Sequence, residues 1–262
     1  MKPKKSLGQN FLIDKNILKK IVNSVNVEGE NILEIGPGTG NLTNEIINKK
    51  PNTYLCIEKD KKLNDIIVKK FQGKKDFISI NKDILEFDLE NNIHKKSIVF
   101  GNLPYNISTK ILTNLIKFKI WPPKYKFLIL MFQKEVAQRI CAKFNTKNYG
   151  RISILTKSRL DIINHFDISK NSFYPKPKID STVIIFEPKK INALNFKNIE
   201  NLEKITNILF SNRRKMINKS LRKILPEKLI NSELNDISLK MRPQELPEST
   251  YFRITSCYES AN

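Results

Sequence analysis

The stretch Asn31-Ile32-Leu33-Glu34-Ile35-Gly36-Pro37-Gly38-Thr39-Gly40 decides the fold. Its first half is a short apolar run that reads as a strand. Its second half is a glycine loop leading into Leu42, Ile46 and Ile47 at helical spacing. Strand, glycine turn and helix open an α/β unit, and the pattern repeats downstream. Strands are expected at 54–57, 77–80, 98–100 and 127–132, with helical patterns at 16–25, 63–71 and 111–116. Such alternation specifies a mostly parallel sheet with helices on both faces, a Rossmann-like α/β fold. Further helices are expected at 135–144 and 152–159. Two β-like runs, 162–168 and 182–186, flank the loop Tyr174-Pro175-Lys176-Pro177-Lys178.

After Pro188 the strand-like runs stop. Leu202, Ile205 and Leu209 recur at helical spacing, as do Met216, Leu221 and Ile224. A boundary within 187–198 therefore divides a catalytic domain, 1–190, from a small all-helical domain, 191–262. No internal repeat is visible.

The formal charge of +21 is extreme and suits a polyanionic partner. Lysine far outnumbers arginine and acidic residues have not risen to match, so base composition of the gene accounts for only part of it. No run reaches the roughly 18 apolar residues of a membrane span, and Met1-Lys2-Pro3-Lys4-Lys5 lacks the apolar core of a secretion signal. The three cysteines are scattered and the two histidines, His94 and His165, have no partner at metal-ligand spacing. The expectation is a cytoplasmic protein with no metal, no membrane contact and no Ser-His-Asp or Cys-His chemistry.

In an open α/β sheet, ligands sit beyond the carboxyl ends of the strands. The glycine loop occupies that place, and Gly36 and Gly38 let the backbone approach a ligand closely. The spacing is not G-x-G-x-x-G, and Pro37 removes an N–H that a pyrophosphate would use. Glu58 ends the next strand, placed to bond both hydroxyls of a ribose, and Asp83 follows the third, placed to accept from an adenine amino group. Each acid alone would more often be a solvated loop residue. Together they describe an adenosyl ligand without phosphates, S-adenosylmethionine, and with it a class I methyltransferase sheet.

Asn102-Leu103-Pro104-Tyr105 ends the fourth strand. The exocyclic nitrogen of adenine is a weak nucleophile, because its lone pair is delocalised into the ring. Acceptors aimed at its two hydrogens favour the pyramidal, reactive shape. The Asn102 side-chain oxygen and the Leu103 carbonyl are suited to this, with Pro104 fixing the backbone between them. Tyr105 is placed to stack on the base. Phe173 is the candidate for the opposite face of a flipped-out base, or else an ordinary loop aromatic packed on the core.

Several segments together resemble one family. They are Leu7-Gly8-Gln9-Asn10-Phe11-Leu12, the loop 34–40, G-N-L-P-Y-N-I-S-T at 101–109 and Gly150-Arg151-Ile152-Ser153. F-Y-P-K-P-K-I-D-S at 173–181, Arg213-Arg214-Lys215 and Arg242-Pro243-Gln244-Glu245-Leu246 complete the set. The chain resembles the bacterial small-subunit ribosomal RNA adenine N6,N6-dimethyltransferases over nearly its whole length, more loosely beyond Pro247. The resemblance implies cofactor contacts at Asn10, Leu12, Gly36, Glu58, Asp83 and Asn102, with the basic N-terminal arm folded over the cofactor. It also implies RNA contacts at Arg151, Arg213, Arg214 and Lys215, and action by a monomer on 16S RNA in the small ribosomal subunit. The product implied is two neighbouring dimethylated adenosines near the 3′ end. The rival readings are a large-subunit adenine methylase of the macrolide-resistance type, a DNA adenine methylase, and an assembly factor with little catalysis.

Overall fold

The computed structural model describes residues 4, 8–74, 76–190 and 196–262. Leu7 and residues 191–195 of the expected boundary lie outside them. A two-residue strand, β1 (Phe11–Leu12), precedes a run of alternating elements. These are α1 (Lys15–Val22), β2 (Asn31–Ile35), α2 (Asn41–Ile47), β3 (Thr53–Glu58), α3 (Lys61–Lys70), β4 (Phe77–Asn81), α4 (Leu89–Asn92), β5 (Ser97–Asn102), α5 (Ser108–Ile116) and β6 (Tyr125–Gln133). There follow α6 (Lys134–Ile140), α7 (Arg151–Arg159), β7 (Leu160–Ile168), β8 (Phe173–Tyr174) and β9 (Ser181–Pro188). The chain ends in α8 (Ile199–Phe210), α9 (Asn218–Leu221), α10 (Glu227–Glu233) and α11 (Glu248–Ala261).

Among the described residues the main sheet has the order β4-β3-β2-β5-β6-β9-β7. The strands from β4 to β6 pair in parallel, and β9 returns antiparallel to β6. From β2 the chain steps outward through β3 and β4, then crosses back to β5 on the other side. The switch point thus lies between β2 and β5. These two strands are buried along almost their whole length, as central parallel strands covered on both faces must be. All the expected strands are present. α1 begins where Asp14 Oδ1 accepts the N–H groups of Asn16 and Ile17, and it ends three residues sooner than its pattern predicts.

The compact units do not follow a single cut of the chain. One comprises Met1–Ala137 and Ile162–Pro188, the other Gln138–Asp161 and Lys189–Asn262. Residues 138–161, expected in the first domain, thus belong with the C-terminal helices, because α7 packs against α8 and α11. The helix expected at 135–144 stops at Ile140. Beyond it Asn145 adopts φ +61 and donates its N–H to the Gln244 carbonyl at 2.8 Å, so a loop takes the place of the last turn. The core of this second unit is aromatic. Phe210 stacks on Tyr251 at 5.9 Å and meets Tyr149 edge-on at 6.4 Å, and Tyr251 donates to the Pro243 carbonyl at 2.6 Å.

In the first unit a buried carboxyl ties three elements together. Glu34 of β2 is 1% exposed, and its Oε2 accepts from Thr43 Oγ1 of α2 and Tyr54 Oη of β3, each at 2.5 Å. Burial pushes this carboxyl from 4.5 up to about 7, the two hydrogen bonds pull it down, and the nearby Glu58 charge adds to the rise. The fold therefore favours protonated Glu34. That stabilisation is complete below the ordinary carboxylate range and is lost as pH climbs toward about 7. The melting temperature of the wild type should fall more steeply between about pH 5 and about pH 8 than that of Glu34→Gln, which cannot titrate. Parallel curves in calorimetry would exclude this linkage.

Candidate active site

Strand register assembles the site. Ile35 lies beside Ile57 on one side and Gly101 on the other, and Glu58 pairs with Asn81. The carboxyl ends of β2, β3, β4 and β5 are therefore level, and the segments leaving them surround a cavity of about 200 Å³. Its walls include Gly36, Gly38, Glu58, Asp83, Asn102 and Tyr105. Residues distant in sequence thus meet because four strands stop at one height.

The loop after β2 is held at both ends. Gly36 donates its N–H to Ile57 O at 2.9 Å, and Gly38 donates to Glu58 Oε2 at 3.1 Å. Gly36 and Gly38 have φ of +70 and +59, and a Cβ on Gly38 would stand 3.0 Å from the Phe11 ring. The other oxygen of Glu58, Oε1, accepts the Asp60 N–H at 2.8 Å. Each carboxylate oxygen carries two lone pairs, so each keeps one for a further donor. Burial pushes the Glu58 carboxyl up, while the Asp60 and Gly38 N–H groups favour its charged form.

Asp83 follows β4. Its Oδ1 accepts the Leu85 N–H at 3.0 Å and its Oδ2 accepts Lys59 Nζ at 2.6 Å. Desolvation works to raise this carboxyl, but Lys59 and the Leu85 N–H outweigh it and hold it below the usual range. Lys59 also lines the cavity, so one rim carries a matched charge pair.

The N-terminal arm crosses this region through a series of polar contacts. Gln9 Nε2 donates to Asp60 Oδ2 at 3.1 Å, and Lys4 Nζ stands 2.9 Å from the same atom. Asn102 Nδ2 donates to the Asn10 carbonyl at 3.0 Å, and Asn41 Nδ2 donates to the Leu12 carbonyl at 2.8 Å. β1 then pairs antiparallel with β8, Leu12 opposite Phe173 and Phe11 opposite Tyr174. Asn10 and Leu12 both line the cavity. Composition alone points to a solvated basic tail here, and the strand is too short to register as periodicity. The signal available was the resemblance.

In the acceptor tetrapeptide, Leu103 is buried and Tyr105 is half-buried. The carbonyl of Pro104 accepts the Ile107 N–H at 3.1 Å and that of Tyr105 accepts Ser108 Oγ at 3.2 Å, which closes the turn into α5. The Tyr105 hydroxyl lies 2.7 Å from Ser181 Oγ, a partner that the residue-level reading missed although Ser181 ends the quoted F-Y-P-K-P-K-I-D-S run. Burial raises the Tyr105 phenol above its ordinary value.

Phe173 is set apart from the other acceptor-site candidates. It is 3% exposed, packs in the hydrophobic core with Leu12, and is absent from the cavity wall. The core-packing alternative describes it, because Leu12 and Phe173 share the inward face of the β1–β8 ribbon. The basic residues lie in the second unit and differ among themselves. Arg213 is used internally, its Nε donating to Gln244 Oε1 at 3.1 Å and its Nη2 to the Lys147 carbonyl. Arg151 lies 4.0 Å from Glu203, whereas Arg214 and Lys215 are exposed. Among the described residues no group of three or more His, Cys, Asp or Glu is gathered to hold a metal. No helix among them is long and apolar enough to cross a membrane.

Comparison with known proteins places this geometry. The chain is 45% identical over 262 residues to a ribosomal RNA small subunit methyltransferase A of Pelagibacter ubique, covering 99% of this chain and 98% of that protein. It is 42% identical to the protein of the same name from a Wolbachia of Drosophila simulans, covering 94% and 90%. A dimethyladenosine transferase from Plasmodium falciparum superposes with a TM-score of 0.77 at 24% identity, over 93% of this chain and 95% of that one. The 23S rRNA methyltransferase ErmE superposes at 0.70 and 20% identity, over 95% and 99%. Those two likenesses establish the fold, a class I methyltransferase sheet. The model of one family, ribosomal RNA adenine dimethylase, matches residues 1–260, and with relatives this similar over almost their whole lengths the chain belongs to that family.

Proposed function

We propose that the chain transfers methyl groups from S-adenosylmethionine to N6 of two adjacent adenosines near the 3′ end of 16S RNA, acting as a cytoplasmic monomer on small ribosomal subunits. S-adenosylmethionine-dependent dimethylation of adenine in ribosomal RNA is the activity of the family. One observation carries the residue assignments: Gly38, Glu58, Asp83 and Asn102 meet around a single cavity at the switch point of the sheet.

The residues fit the cofactor. A Cβ on Gly38 would press on Phe11, and Glu58 keeps a lone pair on each oxygen for the two ribose hydroxyls. Asp83 accepts the adenine amino group beside Lys59, and Asn10 and Leu12 cover the ligand from the arm. When bound, the cofactor supplies an electrophilic methyl group. The protein's part is to hold the acceptor. Asn102 Nδ2 is engaged by the Asn10 carbonyl, which turns Oδ1 into the acceptor end of the amide. Oδ1 and the Leu103 carbonyl take the two N6 hydrogens, favouring a pyramidal nitrogen whose lone pair points at the methyl group. Tyr105, fixed through Ser181, presents a ring face to the base. As placed, Phe173 supports the arm and offers no stacking face. No strong base is needed, because the N6 proton becomes acidic once the nitrogen is alkylated.

Labelled cofactor incubated with unmethylated small subunits, large subunits or naked DNA tests the substrate. N6,N6-dimethyladenosine should appear by mass spectrometry from small subunits alone, and label entering large subunits instead refutes the assignment. Asn102→Ala should cut single-turnover methylation by at least about 100-fold with subunit binding retained; a wild-type rate removes Asn102 from the chemistry. Glu58→Ala should weaken S-adenosylmethionine binding by about one to two decades in calorimetry, and unchanged affinity rejects the ribose contact. Exchanging Arg214 and Lys215 for alanine should lower the salt slope of RNA binding by about 2. Arg213→Ala should instead lower the melting temperature, since its guanidinium holds the 147 and 244 loops. An unaltered slope takes Arg214 and Lys215 out of the interface.

A further inference from the structure

The β1–β8 ribbon has two faces, and the proposed reaction gives no role to Tyr174 on the outer one. Directly opposed residues of an antiparallel pair project to the same side. Leu12 and Phe173 point into the core, at 4% and 3% exposure. Phe11 and Tyr174 project the other way. Phe11 lies against Gly38 in the cavity wall, and Tyr174, its cross-strand partner, is 60% exposed. Ile13, two residues on from Phe11, is 51% exposed. Other large side chains are also exposed, but Tyr174 and Ile13 stand together on the strand pair that carries the cavity-lining Phe11.

The loop that follows joins this outer face to the proposed acceptor site. It starts at Tyr174, opposite Phe11, and ends at Ser181, which meets the Tyr105 hydroxyl at 2.7 Å. Between them Lys176 and Lys178 are exposed, and Pro177 is buried. The neighbouring acids are already engaged. Asp180 Oδ1 accepts the Lys170 N–H at 2.9 Å, and Asp14 caps α1 and accepts Ser172 Oγ at 3.3 Å. The surface therefore combines an open aromatic face with exposed lysines, which is the chemistry that binds single-stranded nucleic acid by stacking and phosphate contact.

We propose that Tyr174 is a stacking platform for an unpaired nucleotide flanking the target adenine, with Lys176 and Lys178 following its phosphates. The proposal rests on the ribosomal RNA reading above and adds to it a second base-binding position outside the methyl-transfer cavity. Its role is to anchor the strand next to the flipped-out base, so it acts on substrate affinity and leaves the chemical step alone.

The test compares Tyr174→Ala, Tyr174→Leu and Tyr174→Phe in the full-length protein. With unmethylated small subunits, the alanine and leucine variants should raise KM about 10-fold and the phenylalanine variant should stay within about twofold of wild type. All three should keep the wild-type kcat and S-adenosylmethionine affinity, which also reports that they are folded. Leucine is the decisive substitution: it preserves bulk and apolarity and removes the ring. A KM for Tyr174→Leu equal to wild type overturns the platform. A short single-stranded RNA carrying 2-aminopurine beside the target adenine gives an independent reading. Its fluorescence should be quenched by wild type and Tyr174→Phe and not by Tyr174→Leu. Quenching that is equal for all three proteins, or absent with wild type, overturns the platform. Failure of wild type to methylate adenine, with ring-dependent quenching intact, counts against the methylation reading and not against the platform.

Discussion

The carboxamide of Asn102 has two ends, and the molecule depends on their being used differently. Nδ2 is spent on the Asn10 carbonyl at 3.0 Å, which fastens the N-terminal arm to the end of β5. That single bond fixes which atom of the amide remains to accept, because an amide pinned through its nitrogen must offer its oxygen. It also links two requirements of the proposed reaction, since the arm that covers the cofactor is held by the side chain that orients the acceptor. The level ends of β2, β3 and β5 make this possible. Without the shared register of Ile35, Ile57 and Gly101, the arm would have no common edge to cross.

Two buried glutamates at that edge are both raised by burial but meet different donors. Glu34 has hydroxyl donors on one oxygen and no cation in contact, so burial dominates and raises it to about 7. Burial raises Glu58 too, but two backbone N–H groups, one from the loop it stabilises and one from Asp60, pull it back toward the charged form. Backbone dipoles aimed at a carboxylate favour its charge, while hydroxyl partners adapt to either form. Glu34 is thereby suited to knitting β2, α2 and β3 together, and Glu58 to meeting a polar ligand. The same residue type does two jobs because the neighbouring donors differ.

The sheet was readable in the sequence because central parallel strands are near-continuous apolar runs, and the glycine loop marks the one place where such a run must turn sharply. The positions of Glu58 and Asn102 were readable for the same reason, each being the first polar residue after such a run, while Asp83 stands two positions beyond Asn81, the first polar residue after its own. What escaped is of two kinds. β1 and β8 are two residues long, below the length at which alternation can be recognised, so the outward placement of Tyr174 and the inward placement of Phe173 could not be told apart. The grouping of 138–161 with the C-terminal helices depends on long-range packing around Tyr149, Phe210 and Tyr251, which leaves no periodic trace along the chain. Arg213 illustrates a further limit, since a basic triplet reads the same whether its members face solvent or hold carbonyls.

Burial and hydrogen bonding also decide what Tyr105 can do in the proposed reaction. A phenol raised above its ordinary value stays neutral at physiological pH, and this one is committed to Ser181. It is thus a poor proton acceptor and a well-fixed ring, held at its hydroxyl by Ser181 and at its backbone by the turn into α5. Positioning, with no general base, is then the only resource the tetrapeptide has. It suffices because the N6 proton is lost readily after alkylation, whereas before it the planar, delocalised amino group is a poor nucleophile. Acceptors fixed in place before the base arrives act on that earlier, harder step, and they need no titration to do so.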